Sequence, residues 1–311
     1  MVEGVRISVL VPVYNVADKI ERCAVSLFEQ THCEMEYVFA DDCSTDGSLA
    51  VLQAVMERYP ERRSQVRIVR HERNTGVAGT RNTALANATG ERLMWVDSDD
   101  FIPLDACERL LRAMEETGAD IVSGAYVTML RDGSTRTTLP SHLSRERLLR
   151  RRLCMGYEPS SLWARLYRKE LFVREMWARE GVNLSEDYMM TNRIFLHARL
   201  ATIDEVVYNY DFTAVRDMAR LYPGHIGQLT QSVEEVDRYY HADDEGRRFL
   251  GCIQLAYLFI IRMAVEYGLE AKEAEGRLMW WARPIAWLLK HKPTFGLGNL
   301  VYKAVRAGML F

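Results

Sequence analysis

Three carboxylates lie within four consecutive residues, Asp97-Ser98-Asp99-Asp100, directly after the apolar residues 93–96. Carboxylates this close repel one another unless a counter-charge is present. Hard divalent cations such as Mg²⁺ and Mn²⁺ take oxygen ligands and bind through one or two carboxylates together with substrate phosphates. Alternatively, these residues cap a helix that begins near Pro103, because Asp is a preferred N-cap and Pro suits the first turn. The run by itself leaves both interpretations open.

Other residues of the N-terminal third have the chemistry that a sugar nucleotide would require. Pro12 and Tyr14 end an apolar run with an aromatic ring that can stack on a base. Asp41 or Asp42 can accept a hydrogen bond from a base N–H, and Arg81 can pair with a phosphate oxygen. The ordinary alternatives are a strand-end anchor for Tyr14, a turn residue for Asp42 and a solvated helix position for Arg81.

The elements that must position these residues follow from the alternation of β-branched runs with helical patterns, which is typical of βαβ units and a mainly parallel sheet. The strands are predicted at residues 7–11, 37–40, 66–69 and 92–96, and helices at 17–30 and 76–88. Ligands of open parallel sheets bind beyond the carboxyl ends of the strands. We therefore expect the acidic loops at residues 41–48 and 97–100 to share one cleft.

The pattern changes farther along the chain. Residues 102–117 predict a helix and residues 119–123 a strand. From about residue 143 the sequence is arginine-rich and helical with strand-like pieces such as residues 206–210, and beyond about residue 228 it is almost entirely helical. We therefore expect an α/β domain at residues 1–220 and a helical region at residues 221–311.

The composition is that of a globular protein, with 311 residues of which 48% are hydrophobic and 27% charged. The formal net charge of −3 gives no reason to expect nucleic-acid binding. Six scattered cysteines without metal-ligand spacing indicate reduced thiols in a cytosolic protein. The N-terminus reaches a strand-like run at once, without a signal-peptide pattern. Residues 249–265 come closest to a membrane span, but Cys252, Gln254 and Arg262 interrupt them, so we expect a cytoplasmic protein that does not cross a membrane.

Four of these segments resemble, in order and spacing, the motifs of family 2 glycosyltransferases over roughly the first 105 residues. They are residues 8–15 (SVLVPVYN), 41–48 (DDCSTDGS), 76–82 (GVAGTRN) and 96–100 (VDSDD). The resemblance implies a GT-A fold, which is a Rossmann-like, mostly parallel sheet flanked by helices. It also implies a nucleoside-diphosphate-sugar donor, usually a UDP-sugar, and inversion at the anomeric carbon. A bacterial envelope or capsule polysaccharide pathway is what it suggests.

The resemblance also assigns roles by motif position. Asp42 corresponds to the residue that recognises the base, and Asp99 to the main metal-contacting carboxylate. Asp97 corresponds to a residue nearer the donor sugar or ribose and is a second metal candidate, with Ser98 between them in the donor site. Cys43 stands where the family commonly has glycine, which raises a question about the loop geometry after Asp42.

Inverting transfer needs a general base on the acceptor side. The family often has a Glu-Asp pair in the region of Glu186 and Asp187, so the resemblance predicts Asp187 as the base, with Glu186 second. The alternative is a capping box with Ser185 as the N-cap and acids in the first helical turn. Trp163 lies in a segment that resembles an aromatic motif of many bacterial members and is an acceptor-site candidate, against a core tryptophan. His225 is a further metal candidate.

The C-terminal segment, residues 277–311, contains six basic residues and no acidic residue, together with Trp280, Trp281 and Trp287. Interleaved tryptophans and cations suit the headgroup region of an anionic membrane, so we hypothesise peripheral association with the inner face of the cytoplasmic membrane. The alternative is a helical region that packs its tryptophans inward or into a homodimer contact.

These observations predict an inverting, hexosyltransferase-type enzyme that depends on Mn²⁺ or Mg²⁺. It would move a sugar from a nucleotide-sugar donor to a hydroxyl of a glycan or lipid-linked acceptor. The alternative is a catalytically inactive nucleotide- or carbohydrate-binding scaffold, against which the two carboxylate pairs argue. A nucleotidyltransferase ranks third, because residues 12–15 are not the glycine-rich phosphate loop that such an enzyme would have after its first strand.

Overall fold

The computed structural model describes residues 6–155, 158–214, 226–291 and 295–310. The chain divides into two compact units whose segments alternate along the sequence. The first unit comprises Met1–His142, Leu162–Gly181 and Ala198–Ala214, and the second comprises Leu143–Ser161, Val182–His197 and Val215–Phe311. The division into domains at residues 1–220 and 221–311 stays a prediction.

The first unit is built on one mixed sheet. Its strands are β1 (Ile7–Val13), β2 (Met35–Asp41), β3 (Val66–Arg70), β4 (Arg92–Trp95), β5 (Ile121–Met129), β6 (Thr135–Thr138), β7 (Arg165–Arg168) and β8 (Leu200–Asp211). They lie in the order β3-β2-β1-β4-β7-β5-β6, and β8 pairs with β5. Strands β1, β2 and β4 are buried almost throughout, as expected for strands covered on both faces of a parallel sheet.

The half of the sheet that follows the N-terminus is parallel. Strand β1 lies between β2 and β4, and both pairings are parallel, as is the pairing of β2 with β3. The α/β class predicted from the alternating pattern is confirmed. Because the carboxyl ends of parallel neighbours meet at one edge, the loops after β1, β2 and β4 lie side by side. Strand β7 joins this half to β5 through two antiparallel pairings.

The helices of the first unit connect these strands. They are α1 (Ile20–Phe28), α2 (Ser48–Arg58), α3 (Gly76–Ala86) and α4 (Ala106–Thr117). Helix α1 buries Ile20, Ala24 and Leu27, the apolar face that its sequence spacing predicts. Helix α4 begins at Ala106 with Asp105 in the N-cap position, later than the predicted start at residue 102. The interpretation of the preceding acidic run as the cap of this helix is therefore wrong.

The second unit is helical in its described residues. Its helices are α5 (Arg145–Leu153), α6 (Glu186–Phe195), α7 (Ile226–Ala242), α8 (Leu250–Glu266), α9 (Lys272–Gly276), α10 (Arg283–Lys290) and α11 (Phe295–Leu310). This confirms the helical C-terminal region. Among the described residues, the stretch Gly246–Glu266 is long and apolar enough to cross a membrane by length and composition, and 67% of its apolar window is buried. Such burial is what a core helix of this unit would show.

Candidate active site

The loops that follow β1 and β2 are bonded to each other. The side-chain oxygen of Asn15 accepts a hydrogen bond from the Thr45 backbone N–H at 2.9 Å, and the Asn15 N–H donates to Ser44 Oγ at 3.1 Å. The Ala17 N–H donates to Asp46 Oδ2 at 3.0 Å. These bonds cross from one parallel strand end to the next, so the two loops form one surface at this edge of the sheet.

Tyr14 and Cys43 stand at the tips of these two loops. The Tyr14 side chain is 50% exposed and follows the partly buried Pro12, so its ring is accessible at the edge where a base was predicted to stack. Cys43 has a φ of 62°, in the left-handed region that glycine adopts without steric cost. The backbone after Asp42 thus adopts, with a cysteine, a conformation that suits glycine.

Asp42 anchors the start of α3. Its Oδ1 accepts hydrogen bonds from the Thr75 backbone N–H at 2.7 Å and the Thr75 hydroxyl at 3.0 Å, and it lies 2.9 Å from Nδ1 of His71. Its Oδ2 accepts the Gly76 N–H at 2.8 Å. The neighbouring Asp41 is fully buried and lies 3.3 Å from Nε of Arg70. The carboxylate predicted to read a base therefore also binds the first backbone N–H groups of a helix.

Arg81 connects α3 to the acidic loop after β4. Its side chain is buried, its Nη2 lies 3.0 Å from Oδ1 of Asp97, and its guanidinium lies 5.3 Å from the Trp95 ring centroid. The solvated helix position considered for Arg81 is thus wrong. The same contact brings the predicted phosphate-binding cation and the predicted donor-contacting carboxylate together.

The three carboxylates of the run differ in environment. Asp97 and Asp99 are partly exposed, whereas Asp100 is fully buried. Ser98 is also buried, with 5% of its surface exposed. Burial, with the Asp97 carboxylate next in effect, raises the pKa of Asp99 to about 6. Burial and the two neighbouring aspartates raise the pKa of Asp100 to about 8. The loop therefore holds three carboxyl groups in a poorly solvated place, where ionising all of them at once is unfavourable.

Asp100 has a structural role, because both oxygens of its carboxyl group accept hydrogen bonds from β8. The Tyr208 hydroxyl donates to its Oδ2 at 2.6 Å and the Asp211 backbone N–H donates to its Oδ1 at 2.7 Å. Both donors belong to β8. Instead of capping α4, the Asp100 side chain fastens the acidic loop to the end of this strand.

The acidic loop fits a divalent cation with two protein ligands. Asp97 and Asp99 repel each other across a partly buried site, and a dication would offset that repulsion. Among residues 6–155, 158–214, 226–291 and 295–310, no group of three or more His, Cys, Asp or Glu side chains lies close enough to hold a metal. One or two carboxylates with substrate phosphates suffice for Mg²⁺. His225, the third predicted ligand, lies outside the described residues.

An ion-pair cluster around the buried Asp211 lies beside this loop and was not predicted from the sequence. Asp211 binds Lys19 Nζ at 2.8 Å and also pairs with Arg22, whose Nη2 donates to the Asp99 carbonyl at 3.1 Å. Burial acts to raise the pKa of Asp211, but hydrogen bonds from Lys19, Thr213 and Arg22 outweigh it and hold that pKa far below its usual value. Two cations at the start of α1 thus lie next to the acidic loop.

Trp163 belongs to an aromatic cluster in the first unit. Its ring stacks on Tyr208 with 4.8 Å between centroids and on Tyr210 with 5.2 Å, and Tyr126 meets it edge-on at 4.8 Å. The side chain is partly buried. These contacts are those of a packed aromatic residue, and its role toward an acceptor stays a prediction.

Glu186 and Asp187 begin α6 in the second unit. Glu186 is buried and Asp187 partly buried, and the Asp187 carboxylate accepts the Tyr188 N–H at 2.7 Å. Ser185 occupies the N-cap position with a φ of 64° and its side chain makes no cap hydrogen bond, so the capping box considered as the alternative does not form. Left-handed backbone at a non-glycine residue is strained, and such strain clusters at functional sites.

The parallel half of the mixed sheet carries acidic, aromatic and basic groups at its strand ends. A mostly parallel sheet flanked by helices is the arrangement expected of the GT-A fold, and comparison with solved structures confirms that fold. Residues 8–174 match the family model described as Glycosyl transferase family 2. Since this match covers more than half of the chain, the protein belongs to glycosyltransferase family 2.

Its relatives are bacterial glycosyltransferases. The chain is 31% identical to the uncharacterized glycosyltransferase EpsJ of Bacillus subtilis over 66% of this chain and 60% of that one. It is 27% identical to the poly(ribitol-phosphate) β-N-acetylglucosaminyltransferase TarS of Staphylococcus aureus, over 66% of this chain and 35% of TarS. The chain thus spans less than two thirds of the length of these curated relatives.

Two solved structures share the fold along almost the whole chain. TarS residues 1–349 in complex with UDP-GlcNAc match with a TM-score of 0.64 and 20% identity, covering 97% of this chain and 92% of that one. The mannosyltransferase PcManGT of Pyrobaculum calidifontis, in complex with GDP-Man and Mn²⁺, matches with a TM-score of 0.60 and 20% identity, covering 98% and 87%.

Proposed function

We propose that the protein is an inverting glycosyltransferase that acts in the cytoplasm and moves a hexosyl group from a UDP-sugar to a hydroxyl of a glycan or lipid-linked acceptor of the cell envelope. The observation that carries this proposal is the bonded set of loops at the carboxyl ends of β1, β2 and β4. The names of the relatives support it, since EpsJ and TarS are both described as glycosyltransferases and TarS as an enzyme acting on poly(ribitol-phosphate).

The first unit would bind the donor. The exposed Tyr14 ring would stack on the base. Asp42 would accept the base N–H through Oδ2, which accepts one hydrogen bond, from Gly76, whereas Oδ1 already receives the Thr75 and His71 groups. Arg81 pairs with a phosphate oxygen while its guanidinium stays stacked near Trp95. Asp41 and Ser98 support these loops from buried positions.

Asp99, with Asp97 as the second ligand, would hold Mn²⁺ or Mg²⁺. When bound, the cation neutralises charge on the leaving diphosphate. The two carboxylates supply the negative charge that retains it. Asp211 also acts on Asp99 from nearby, and its ion pairs with Lys19 and Arg22 offset part of that effect. His225 as a further ligand stays a prediction.

The acceptor chemistry would depend on the second carboxylate pair. The acceptor oxygen attacks the anomeric carbon, the bond from that carbon to the diphosphate oxygen breaks, and the hydroxyl proton passes to a carboxylate oxygen of Asp187. Attack from the face opposite the leaving group inverts the anomeric centre. Glu186, buried beside it, positions Asp187, and Trp163 is the candidate contact for the apolar face of an acceptor sugar.

The test separates donor binding from acceptor activation. Asp99→Ala should abolish turnover and the Mn²⁺-dependent part of UDP affinity, whereas Asp187→Asn should reduce turnover by about 10²- to 10⁴-fold and leave UDP affinity unchanged. Isothermal titration calorimetry gives the affinity, and a panel of nucleotide-sugars selected by thermal shift with Mn²⁺ gives the donor for the turnover assay.

The matched control is Asp244→Asn, because Asp244 is a highly exposed carboxylate of the second unit that pairs only with the surface residue Arg247 among the contacts seen. It should leave both readouts unchanged. Normal turnover in Asp187→Asn would assign the base to another residue. UDP binding without transfer of any sugar in the panel would favour the inactive scaffold.

A further inference from the structure

The C-terminal helices expose large hydrophobic side chains. Trp280 is 81% exposed, Trp287 55%, Leu297 54% and Leu300 66%. A tryptophan or leucine in solvent is unremarkable when it stands alone, but a contiguous set marks an interaction surface. These four residues lie within 21 positions of one another along the chain, so their arrangement in space decides which case applies.

Helix α10 presents one of its faces outward. Arg283, Trp287 and Lys290 are exposed and follow the i, i+4, i+7 spacing that places residues on one side of a helix. The opposite side buries Ile285 and Leu289. The outward side of α10 is therefore a tryptophan between two cations.

Helix α11 turns an apolar face toward solvent. Its outward positions hold Leu297, Leu300 and Ala304, with Lys303 beside them, while Tyr302 is buried. A surface helix of a globular protein ordinarily turns its polar residues outward. Here the outward face is mainly apolar and its single charged member is basic.

The two helices that carry these exposed side chains pack against each other. A Cβ atom added at Gly298 would lie 2.8 Å from the Leu288 carbonyl carbon and 2.8 Å from the Leu289 nitrogen, so the backbones approach each other closely at this glycine. Leu297 and Leu300 neighbour Gly298 in sequence and are exposed on the same helix. We call the residues Trp280, Trp287, Leu297, Leu300, Arg283, Lys290 and Lys303 the tryptophan–leucine face.

The charge of this segment selects the partner. Residues 277–311 contain six basic residues and no acidic residue, although the whole chain has a formal net charge of −3. Lys290 pairs with the partly buried Glu275 at 2.7 Å, which offsets its charge, so the positive charge of the face rests mainly on Arg283 and Lys303. A second copy placed face to face would oppose like charges, whereas anionic headgroups complement them.

We propose that the tryptophan–leucine face docks the protein on an anionic phospholipid surface. The tryptophans and leucines enter the boundary between headgroups and acyl chains, and Arg283, Lys290 and Lys303 contact the lipid phosphates. This docking does not rest on the proposed glycosyl transfer. The docking would place the proposed glycosyl transfer at a membrane surface.

Vesicle co-sedimentation of the full chain tests the proposal. The probes are vesicles of pure phosphatidylcholine and vesicles of equal parts phosphatidylcholine and phosphatidylglycerol. The wild type should bind the mixed vesicles and release them as salt is raised, because salt screens the attraction. The double variant Trp280→Ser/Trp287→Ser should bind these vesicles about tenfold more weakly, because it loses the apolar insertion. The double variant Arg283→Glu/Lys303→Glu should also bind about tenfold more weakly or worse, since one basic residue near the surface contributes about a factor of five.

Matched controls are Leu139→Ser and Arg67→Glu, which change exposed residues of the first unit. They should bind as the wild type does. Because all substituted positions are exposed, thermal midpoints and Mn²⁺-dependent UDP affinity should not change, and loss of docking is thus distinguishable from failure of the proposed function.

Two outcomes would overturn the proposal. One is equal vesicle binding by the wild type and the tryptophan variant. The other is a wild type that ignores both vesicles but forms a dimer in light scattering that the tryptophan variant loses, which would assign the face to a second copy of the chain.

Discussion

Replacing Asp42 tests whether a residue predicted to read a base is first of all a structural anchor. Its carboxylate receives the backbone N–H groups of Thr75 and Gly76, the Thr75 hydroxyl and a ring nitrogen of His71, at distances between 2.7 and 3.0 Å. The residue is 2% exposed. Asp42→Ala would leave these groups facing a small buried cavity, and the first turn of α3 would lose its cap.

The size of the effect follows from the kind of bond lost. Loss of a helix cap costs about 1 to 2 kcal/mol, and a hydrogen bond to a charged group contributes about 1.5 to 3 kcal/mol. These contributions overlap, because the same N–H groups are counted in both, so Asp42→Ala should lower the free energy of unfolding by about 3 kcal/mol. Asp42→Asn should lower it by about 1 to 2 kcal/mol, since one oxygen can serve Thr75 or Gly76 but not both.

Urea unfolding followed by tryptophan fluorescence measures the global effect, and hydrogen exchange of a peptide spanning residues 74–86 measures the local one. The control is Tyr14→Ala. Because the Tyr14 side chain is half exposed, this variant should change the free energy of unfolding by less than about 0.5 kcal/mol while weakening UDP binding.

An Asp42→Ala protein with the wild-type urea midpoint and unchanged exchange at the start of α3 would refute the reasoning. The stability measurements also decide how a loss of UDP affinity in Asp42→Ala is interpreted. If UDP affinity falls in Asp42→Ala and the first turn of α3 has melted, the loss does not by itself identify a contact to the base.

Two further substitutions test the packing that holds the acidic loop. Tyr208→Phe removes a hydroxyl that donates to Asp100 and should cost about 1 to 3 kcal/mol in urea unfolding; an unchanged midpoint would mean that Asp100 is anchored elsewhere. Gly124→Ala places a methyl 2.4 Å from a Val207 methyl carbon and should cost about 1 to 3 kcal/mol. Gly227→Ala is its control, since nothing lies within 4 Å of that position, and equal stability of the two alanine variants would contradict the close approach of β5 and β8.

The parallel half of the sheet was predictable because short stretches of sequence are enough to indicate its strands and helices. Strands β1, β2 and β4 are short, mainly apolar runs, and each is followed by a segment of helical or turn character. Strand β1 continues through Pro12 to Val13, beyond the predicted end at residue 11. Their pairing then follows from the geometry of βαβ connections. The bonds from Asn15 to the loop after β2 join two of these strand ends, and a cleft shared by the loops at residues 41–48 and 97–100 stays a prediction.

The antiparallel half was not predictable in the same way. Strand β7 has the sequence RLYR and β6 the sequence TRTT, and four residues with two arginines or no apolar member show neither a buried run nor a clear alternation. They are strands because a neighbour supplies pairing: β7 lies between β4 and β5. Such pairing depends on tertiary context, which a local pattern does not contain.

Long-range charge pairing was hidden for a related reason. Lys19 and Asp211 are 192 positions apart in sequence, and neither belongs to a recognisable motif. A signal did exist at Asp211, since the strand-like residues 206–210 end in this carboxylate just as β4 ends near the acidic run. Reading the end of β8 as another strand end with a functional loop would have placed it among the candidates.

The acidic run shows what residue type alone leaves undetermined. Asp97, Asp99 and Asp100 are the same amino acid within four positions, yet Arg81 pairs with the first and β8 holds the last through Tyr208 and the Asp211 N–H. Asp99 lies between them, partly exposed, with a pKa raised to about 6 by burial and by its neighbour Asp97.

This division has a consequence for metal affinity. A dication bound at Asp99 would remove a repulsion that the fold maintains, so it should bind more tightly than at an isolated surface carboxylate. Arg81 positions Asp97 and offsets part of its charge, and β8 fixes the loop through Asp100. The geometry and charge of the proposed metal site therefore depend on β8 and Arg81 as well as on the two ligands.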